Sequence, residues 1–157
     1  GTAQLHESLR SDPRVTCMER VNARALNRSM FPETPTLAVM DVSFISIRLI
    51  LPALFELLGP CGRVISLVKP QFEAGRQRVG KGGIVAKAAT HRDVLKEIVD
   101  FMPGLGWQVA KLDFSPIAGG DGNIEFLADI KPASDCIAPV DVVAIDAVVR
   151  RAHAANL

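Results

Sequence analysis

Cysteine is scarce and scattered in this sequence. The three cysteines, Cys17, Cys61 and Cys136, lie far apart and form no Cys-x-x-Cys pair. An odd number at such spacing argues against a disulfide framework and against a zinc site. We therefore expect a protein of the reducing cytoplasm that holds no metal ion.

Long apolar runs and a strong net charge are also missing. The longest apolar stretch, residues 49–58, contains Glu56 and is well short of the roughly 20 residues that cross a membrane. The formal net charge is only +1, so contact with a nucleic acid would need a local basic patch. These absences favour a soluble protein with no membrane partner.

The sequence does contain the pattern of one α/β domain. It has 157 residues, of which 48% are hydrophobic, enough to bury a sizeable core. The apolar run at residues 36–42 is typical of a strand covered on both faces. The last two predicted strands should pair antiparallel because no helix fits between them. The predicted strands are residues 14–18, 36–42, 63–68, 107–112 and 123–130, and the predicted helices are residues 3–10, 46–58, 90–102 and 140–153.

Three charged residues stand at or near the ends of these strands. Asp41 and Lys69 end two of them, and Glu125 lies in the last one; no glycine-rich nucleotide loop precedes them. In an open α/β sheet the carboxyl ends of the strands line the ligand crevice, so an acid, an amine and a second acid can converge there on one substrate atom. A structural ion pair of Asp41 with Lys69, with Glu125 capping a loop, would explain the same spacing.

A basic stretch lies within the long segment that follows Lys69. Residues 70–89 contain irregularly spaced glycines, a pattern typical of a binding loop or a mobile lid. Such a loop can bind phosphates without reading base sequence, although a merely solvated basic loop has the same composition. From Gly75 through Asp93 the basic residues, opposed only by Asp93, are Arg76, Arg78, Lys81, Lys87 and Arg92.

The histidines and aromatic residues show no pattern of a site. His6, His91 and His153 share no metal-ligand spacing, and we expect them to be surface or capping residues. Trp107 and the seven phenylalanines are predicted to belong to the core. Glu73 and Gln71 either face the same cleft as Lys69 or hold the loop through local hydrogen bonds.

Several segments together resemble the TlyA-type family, often named hemolysins, which are ribosomal RNA 2′-O-ribose methyltransferases related to the FtsJ group. The resemblance covers nearly the whole chain and implies a Rossmann-like methyltransferase fold, a mostly parallel sheet with an antiparallel last strand. It also implies S-adenosylmethionine as cofactor and ribosomal RNA as partner. The matching segments are Gln4-Leu-His-Glu-Ser-Leu-Arg10, Glu19-Arg-Val-Asn-Ala-Arg24, Asp41-Val-Ser-Phe-Ile-Ser46, Lys69-Pro-Gln-Phe-Glu-Ala-Gly-Arg76, Val79-Gly-Lys81 and Gly122-Asn-Ile-Glu-Phe126.

The resemblance assigns roles to individual residues. Asp41, Lys69 and Glu125 match the last three members of a catalytic Lys-Asp-Lys-Glu quartet. Asn22, Asp41 and Ser43 would contact the cofactor, although an asparagine at such a position is more often a turn residue or a helix cap. Arg76, Arg78, Lys81 and Lys87 would contact RNA.

The resemblance also implies that the chain is truncated at its amino terminus. The first lysine of the quartet, the glycine-rich cofactor loop, the first two strands and an S4-type RNA-binding domain have no counterpart in it. We expect residues 1–157 to be a single, partial methyltransferase domain that is inactive alone if nothing completes the cofactor site. The strand ending at Asp41 would then be an exposed sheet edge, which would allow a homodimer.

Two other functions fit parts of the sequence. A non-catalytic RNA-binding module would keep the basic loop and lose the chemistry, and cofactor binding separates it from the methyltransferase. The second is a membrane-lytic protein, which only the hemolysin name suggests. The sequence argues against it, because it contains neither a membrane span nor a strongly amphipathic cationic helix.

Overall fold

A four-stranded sheet forms the centre of the fold in the computed structural model, which describes residues 2–120 and 122–155. The strand order across this sheet is β1-β2-β4-β3. The strands are β1 (Leu37–Met40), β2 (Arg63–Val68), β3 (Trp107–Phe114) and β4 (Phe126–Pro132).

Three of the four strands point in the same direction. β1 pairs parallel with β2, whereas β4 runs antiparallel to both of its neighbours, β2 and β3. This arrangement confirms the predicted α/β fold with an antiparallel last strand. The antiparallel pairing of β3 and β4 is confirmed as well, and the described residues between them contain no helix.

The helices follow the apolar periodicity of the sequence, with some shifts at their ends. The helix predicted at residues 90–102 is α4 (Ala88–Phe101), which has Lys87 as its N-cap, so Thr90 lies within its first turn. Residues 70–89 were expected to be irregular, yet they contain one turn of helix at their start. The helices are α1 (Glu7–Arg10), α2 (Leu51–Leu58), α3 (Pro70–Glu73), α4 (Ala88–Phe101) and α5 (Val142–Ala154).

The strand predicted at residues 14–18 is wrong. These residues, all within the described part of the chain, form turns and irregular structure. Val15 donates its backbone N–H to Asp12 at 2.9 Å, and the Arg14 side chain pairs with the same aspartate at 2.6 Å. A β-branched run becomes a strand only when another strand takes up its hydrogen bonds, and no described strand lies beside these residues.

The core lies on one face of the sheet. On that face, Phe55 of α2 stacks on Trp107 of β3 with ring centroids 4.1 Å apart, and His91 of α4 meets the edge of Phe126 in β4. On the other face, Val39 of the edge strand β1 is 76% exposed. The expectation that residues 36–42 are covered on both faces is therefore wrong for the described part of the chain. The expected exposed edge of the sheet is present, and it is formed by β1.

His91 is buried beneath α5 and is not the surface or capping residue that the sequence suggested. Its Nδ1 lies 2.9 Å from Nε2 of His153, and its side chain is fully buried. Burial and the neighbouring His153 lower the pKa of His91 to about 4, and the backbone of Val85 opposes this shift less strongly. The ring is therefore neutral in the folded protein near pH 7.

Because His91 is buried in its neutral form, we expect the free energy of unfolding to fall in mild acid. An unfolded histidine titrates near about 6.5, so between pH 6.5 and 4 the unfolded chain binds more protons than the folded one. The stabilising contribution is complete above about pH 6.5 and is lost as the pH falls towards 4, by at most about 3 kcal/mol. Urea unfolding measured across this range should show a flatter pH dependence for His91→Gln than for the native chain. The exposed His6→Gln serves as control, and parallel curves for all three proteins would contradict the assignment.

Candidate active site

The sheet topology brings the three charged residues to one edge. Asp41 and Lys69 directly follow the carboxyl ends of the parallel strands β1 and β2. Glu125 directly precedes β4, which runs the opposite way, and the first residue of β4, Phe126, lies opposite Val68 in the register. The amino-terminal end of an antiparallel strand therefore delivers Glu125 to the edge where its neighbours end.

Lys69 is the centre of this cluster. Its Nζ lies 2.6 Å from Oδ1 of Asp41 and 3.9 Å from Oε1 of Glu125. The same Nζ is 3.4 Å from Oγ of Ser43. The sequence-predicted trio is thus assembled, and Ser43 joins it.

The two carboxylates differ in their exposure to water. The Glu125 side chain is 10% exposed and that of Lys69 is 14% exposed, whereas the Asp41 side chain is 63% exposed. One side of the ammonium group therefore faces the protein interior and the other faces an open cleft. An ammonium can donate three hydrogen bonds, so Lys69 can hold a substrate oxygen while it remains paired with the two acids.

Glu73 holds the loop that carries Asp41 and Ser43. Its buried carboxylate accepts hydrogen bonds from the backbone N–H of Ile47 and from the Ser46 hydroxyl, both at 2.7 Å. The guanidinium of Arg48 lies 3.5 Å from the same carboxylate. The Ile47 and Ser46 partners lie 26 and 27 residues away in the loop after β1, so they differ from the local hydrogen bonds within its own loop that the sequence suggested for Glu73.

Asn123 ties the basic loop to the segment that carries Glu125. Its fully buried amide donates to the carbonyl of Gly83 at 3.0 Å and accepts from the backbone N–H of Val85 at 2.9 Å. Sequence reasoning missed this role because the partners are about 40 residues away and no local period marks them. The only available signal was the position of Asn123 beside Glu125 in one short motif.

Two of the five basic residues predicted to face RNA or solvent form ion pairs with acidic residues. Arg78 pairs with Glu97 at 2.9 Å and with Asp93 at 3.8 Å. Arg92 is held by Asp146 of α5. All five basic residues are exposed, and those without an acidic partner among the described residues are Arg76, Lys81 and Lys87.

Asn22 is a cap in this structure. Its Oδ1 accepts from the backbone N–H of Arg24 at 3.1 Å and begins a short 3₁₀ turn. This contact matches the alternative that the sequence offered for Asn22. A direct contact between Asn22 and a cofactor stays a prediction.

Phe44 is exposed beside the trio, and its assignment to the core was wrong. It follows Ser43, is 90% exposed and has a φ angle of 63°, a conformation that side chains with a Cβ rarely adopt. Its ring lies 5.0 Å from that of Phe72. The two rings line a cleft of about 570 Å³ together with Arg24 and Ser46. Nothing in the apolar pattern of the sequence distinguishes this phenylalanine from one in the core.

Comparison with known proteins gives one family. The model of the family described as "FtsJ-like methyltransferase" matches residues 1–131. "Putative rRNA methyltransferase YqxC" of Bacillus subtilis is 53% identical over 128 residues, which are 81% of this chain and 46% of that protein. "16S/23S rRNA (cytidine-2'-O)-methyltransferase TlyA" of Mycobacterium tuberculosis is 37% identical over 135 residues, 86% of this chain and 50% of that protein.

A solved structure is also similar over nearly the whole chain. The structure described as a putative hemolysin from Streptococcus thermophilus has a TM-score of 0.92 and 46% sequence identity, and the match covers 99% of this chain and 56% of that one. The chain spans about half the length of the curated relatives it matches. In the part of the chain that the structure describes, no helix has the length and apolar character needed to cross a membrane.

Proposed function

This chain belongs to the FtsJ-like methyltransferase family, and we propose that it takes part in the transfer of a methyl group from S-adenosylmethionine to a ribose 2′-hydroxyl of ribosomal RNA. The observation that carries this proposal is the convergence of two carboxylates on Lys69 at the ligand-binding edge of the sheet. Two relatives whose names specify rRNA methylation support the choice of substrate class. Such a substrate is consistent with a cytoplasmic location.

The trio suits a reaction in which a hydroxyl oxygen must approach a methyl group in line. The hydroxyl oxygen forms the new bond to carbon, the carbon–sulfur bond breaks, and the hydroxyl proton must leave. Lys69 can donate a hydrogen bond to the hydroxyl oxygen and fix its direction, a contribution of positioning. The carboxylates of Asp41 and Glu125 orient the ammonium, and the exposed one of Asp41 can accept the departing proton and pass it to water.

The residues at the end of β1 fit a positively charged cofactor. When bound, S-adenosylmethionine supplies an electrophilic methyl group on a sulfonium. The Asp41 carboxylate is mostly exposed at this edge, and its negative charge suits a ligand with sulfonium and ammonium groups. Ser43 offers a hydroxyl in the same loop, and Asn22 is the weakest member of the set because its Oδ1 already serves as a cap.

The cleft next to the trio can accept a nucleobase. The exposed ring of Phe44 offers an aromatic face beside Phe72, and single-stranded RNA bases stack on such faces. Arg24 lines the same cleft and adds a positive charge. A flipped-out or single-stranded target nucleotide would thus have its base near Phe44 and its ribose near Lys69.

The exposed part of the basic loop should bind the RNA backbone. Replacing Arg76, Lys81 and Lys87 together with alanine is expected to reduce the slope of log affinity against log salt by up to about 2.7, because each phosphate contact contributes roughly 0.7 to 0.9. Filter binding of ribosomal RNA fragments at several salt concentrations measures this slope. Lys111→Ala, an exposed lysine on β3, is the matched control, and an unchanged slope in the triple variant would remove the loop from the RNA interface.

The second candidate function is a non-catalytic RNA-binding module. The lysines and the arginine of the basic loop that have no acidic partner among the described residues, Lys81, Lys87 and Arg76, favour it. Cofactor binding separates the two functions, since a module without chemistry has no need of S-adenosylmethionine.

A calorimetric titration of S-adenosylmethionine makes this separation. Saturable binding to the 157-residue chain supports a cofactor site within it or between two copies, and the exposed edge of β1 would allow such a homodimer. Binding only in a longer protein that contains this sequence supports a site completed from outside the chain. Absence of binding in both proteins contradicts the methyltransferase proposal and favours the RNA-binding module.

A further inference from the structure

The carboxylate of Glu125 lies directly against the backbone of Gly119. A Cβ placed on Gly119 would stand 2.5 Å from Oε1 of Glu125 and 3.0 Å from its Cδ. Ordinary contacts between non-bonded heavy atoms are about 3.5 to 4.0 Å, so a side chain at position 119 and the present position of Glu125 exclude each other.

Space, and not backbone conformation, requires a glycine here. Gly75, Gly106 and Gly122 have positive φ angles, whereas Gly119 does not. An alanine at position 119 would therefore meet no backbone strain of the left-handed kind. The one penalty that the structure shows for it is the collision with Glu125.

The turn around Gly119 is held on several sides. Gly119 donates its N–H to the carbonyl of Asn123 at 2.9 Å and accepts from the N–H of Gly122 at 2.8 Å. At the base of the loop, Ser115 donates to the carbonyl of Glu125 at 2.8 Å. The buried amide of Asn123 anchors the same turn to residues 83–85. Because the backbone is fixed, the flexible Glu125 side chain is the part that must move when position 119 gains a methyl group.

We propose that Gly119 is a positioning residue that acts through Glu125, and that its lack of a side chain keeps this carboxylate beside Lys69. Displacing the carboxylate would remove the inner of the two acids that orient the ammonium. The expected catalytic consequence rests on the proposed function, whereas the placement of Glu125 by Gly119 does not.

Gly120 provides a matched control one residue away. A Cβ at Gly120 would have nothing within 4 Å, and its φ angle is not in the positive range either. Gly119→Ala and Gly120→Ala therefore add the same methyl group to the same loop and differ in whether it strikes Glu125.

Carbon-13 NMR of the 157-residue chain tests the placement without any assay of activity. The signals followed are the side-chain carboxyl carbon of Glu125 and the ε-carbon of Lys69, both titrated with pH. We expect Gly119→Ala to shift both signals and to change their titration curves. For Gly120→Ala we expect the same signals and titration curves as for the native chain. Overlapping curves for the native chain and Gly119→Ala would overturn the proposal.

Methyl transfer tests the catalytic consequence in the same variants. A displacement of about 1 Å can cost on the order of 100-fold in rate, so Gly119→Ala should lower kcat by roughly 10- to 100-fold with little change in KM for RNA. In a Glu125→Ala background the added Gly119→Ala should cause no further loss, because the group it displaces is gone. Additive losses would overturn the proposal. Absence of transfer by the native protein would count against the proposed function, and the NMR result would still decide the role of Gly119.

Folding is monitored by thermal unfolding of each variant. If Gly119→Ala is unstable, the double variant with Glu125→Ala should regain the stability of Glu125→Ala alone, because the colliding Cγ, Cδ and Oε1 atoms are removed. A double variant less stable than Glu125→Ala would show that Gly119 is needed for the turn itself and would overturn the proposal.

Discussion

Lys69→Ala is expected to lower the rate of methyl transfer by roughly 1000-fold, the upper range for removing one donor from a catalytic site. Affinity for RNA should stay nearly unchanged, because the contacts of Lys69 are with Asp41, Glu125 and Ser43 and not with the basic loop. Single-turnover transfer of a labelled methyl group to ribosomal RNA measures the rate. Lys111→Ala, exposed on β3, should retain the native rate.

A purely structural ion pair would give a different result. In that case Lys69→Ala would destabilise the fold by leaving the buried Glu125 carboxylate without its cation, and activity would fall only as far as the protein unfolds. Lys69→Met, which keeps the aliphatic stem, therefore belongs in the same experiment beside a thermal melt. A folded Lys69→Met protein that still turns over at the native rate would refute the assigned role of Lys69.

The largest effect on stability is expected from Glu73→Ala. This substitution leaves the buried N–H of Ile47 and the Ser46 hydroxyl without their acceptor, and it removes the partner of Arg48. Losses of this kind cost about 2 to 4 kcal/mol, which for a domain of this size lowers the melting temperature by roughly 5 to 15 °C.

Glu56 supplies the control for Glu73. It is exposed on α2, so Glu56→Ala removes the same charge and should change stability by less than about 0.5 kcal/mol. Differential scanning calorimetry of the three proteins makes the comparison. Equal melting temperatures for Glu73→Ala and Glu56→Ala would show that the buried carboxylate does not hold the loop after β1.

The sequence predicted elements well where local chemistry decides them. β2 has the predicted bounds, Arg63–Val68, because a mostly apolar segment is closed by Gly62 on one side and by Pro70 on the other. The convergence of Asp41, Lys69 and Glu125 was also predictable, since strand ends meet at sheet edges.

The remaining features depend on contacts between distant parts of the chain. The failed strand at residues 14–18 had the right side chains, but no described strand lies beside it. The exposure of Phe44 and the burial of His91 depend on where neighbouring elements lie. The close approach of Gly119 to Glu125 depends on the shape of one turn, and no periodicity in the sequence encodes it.

The chemical position of the transferred methyl group tests the central claim most directly. Ribosomal RNA is incubated with the protein and labelled S-adenosylmethionine and is then hydrolysed completely in alkali. A methylated 2′-oxygen cannot attack the adjacent phosphate, so the bond next to it survives. The account predicts label in alkali-resistant dinucleotides, and only when Lys69 is present. Label in mononucleotides, which indicates methylation of a base, or label that persists in Lys69→Ala, would contradict it.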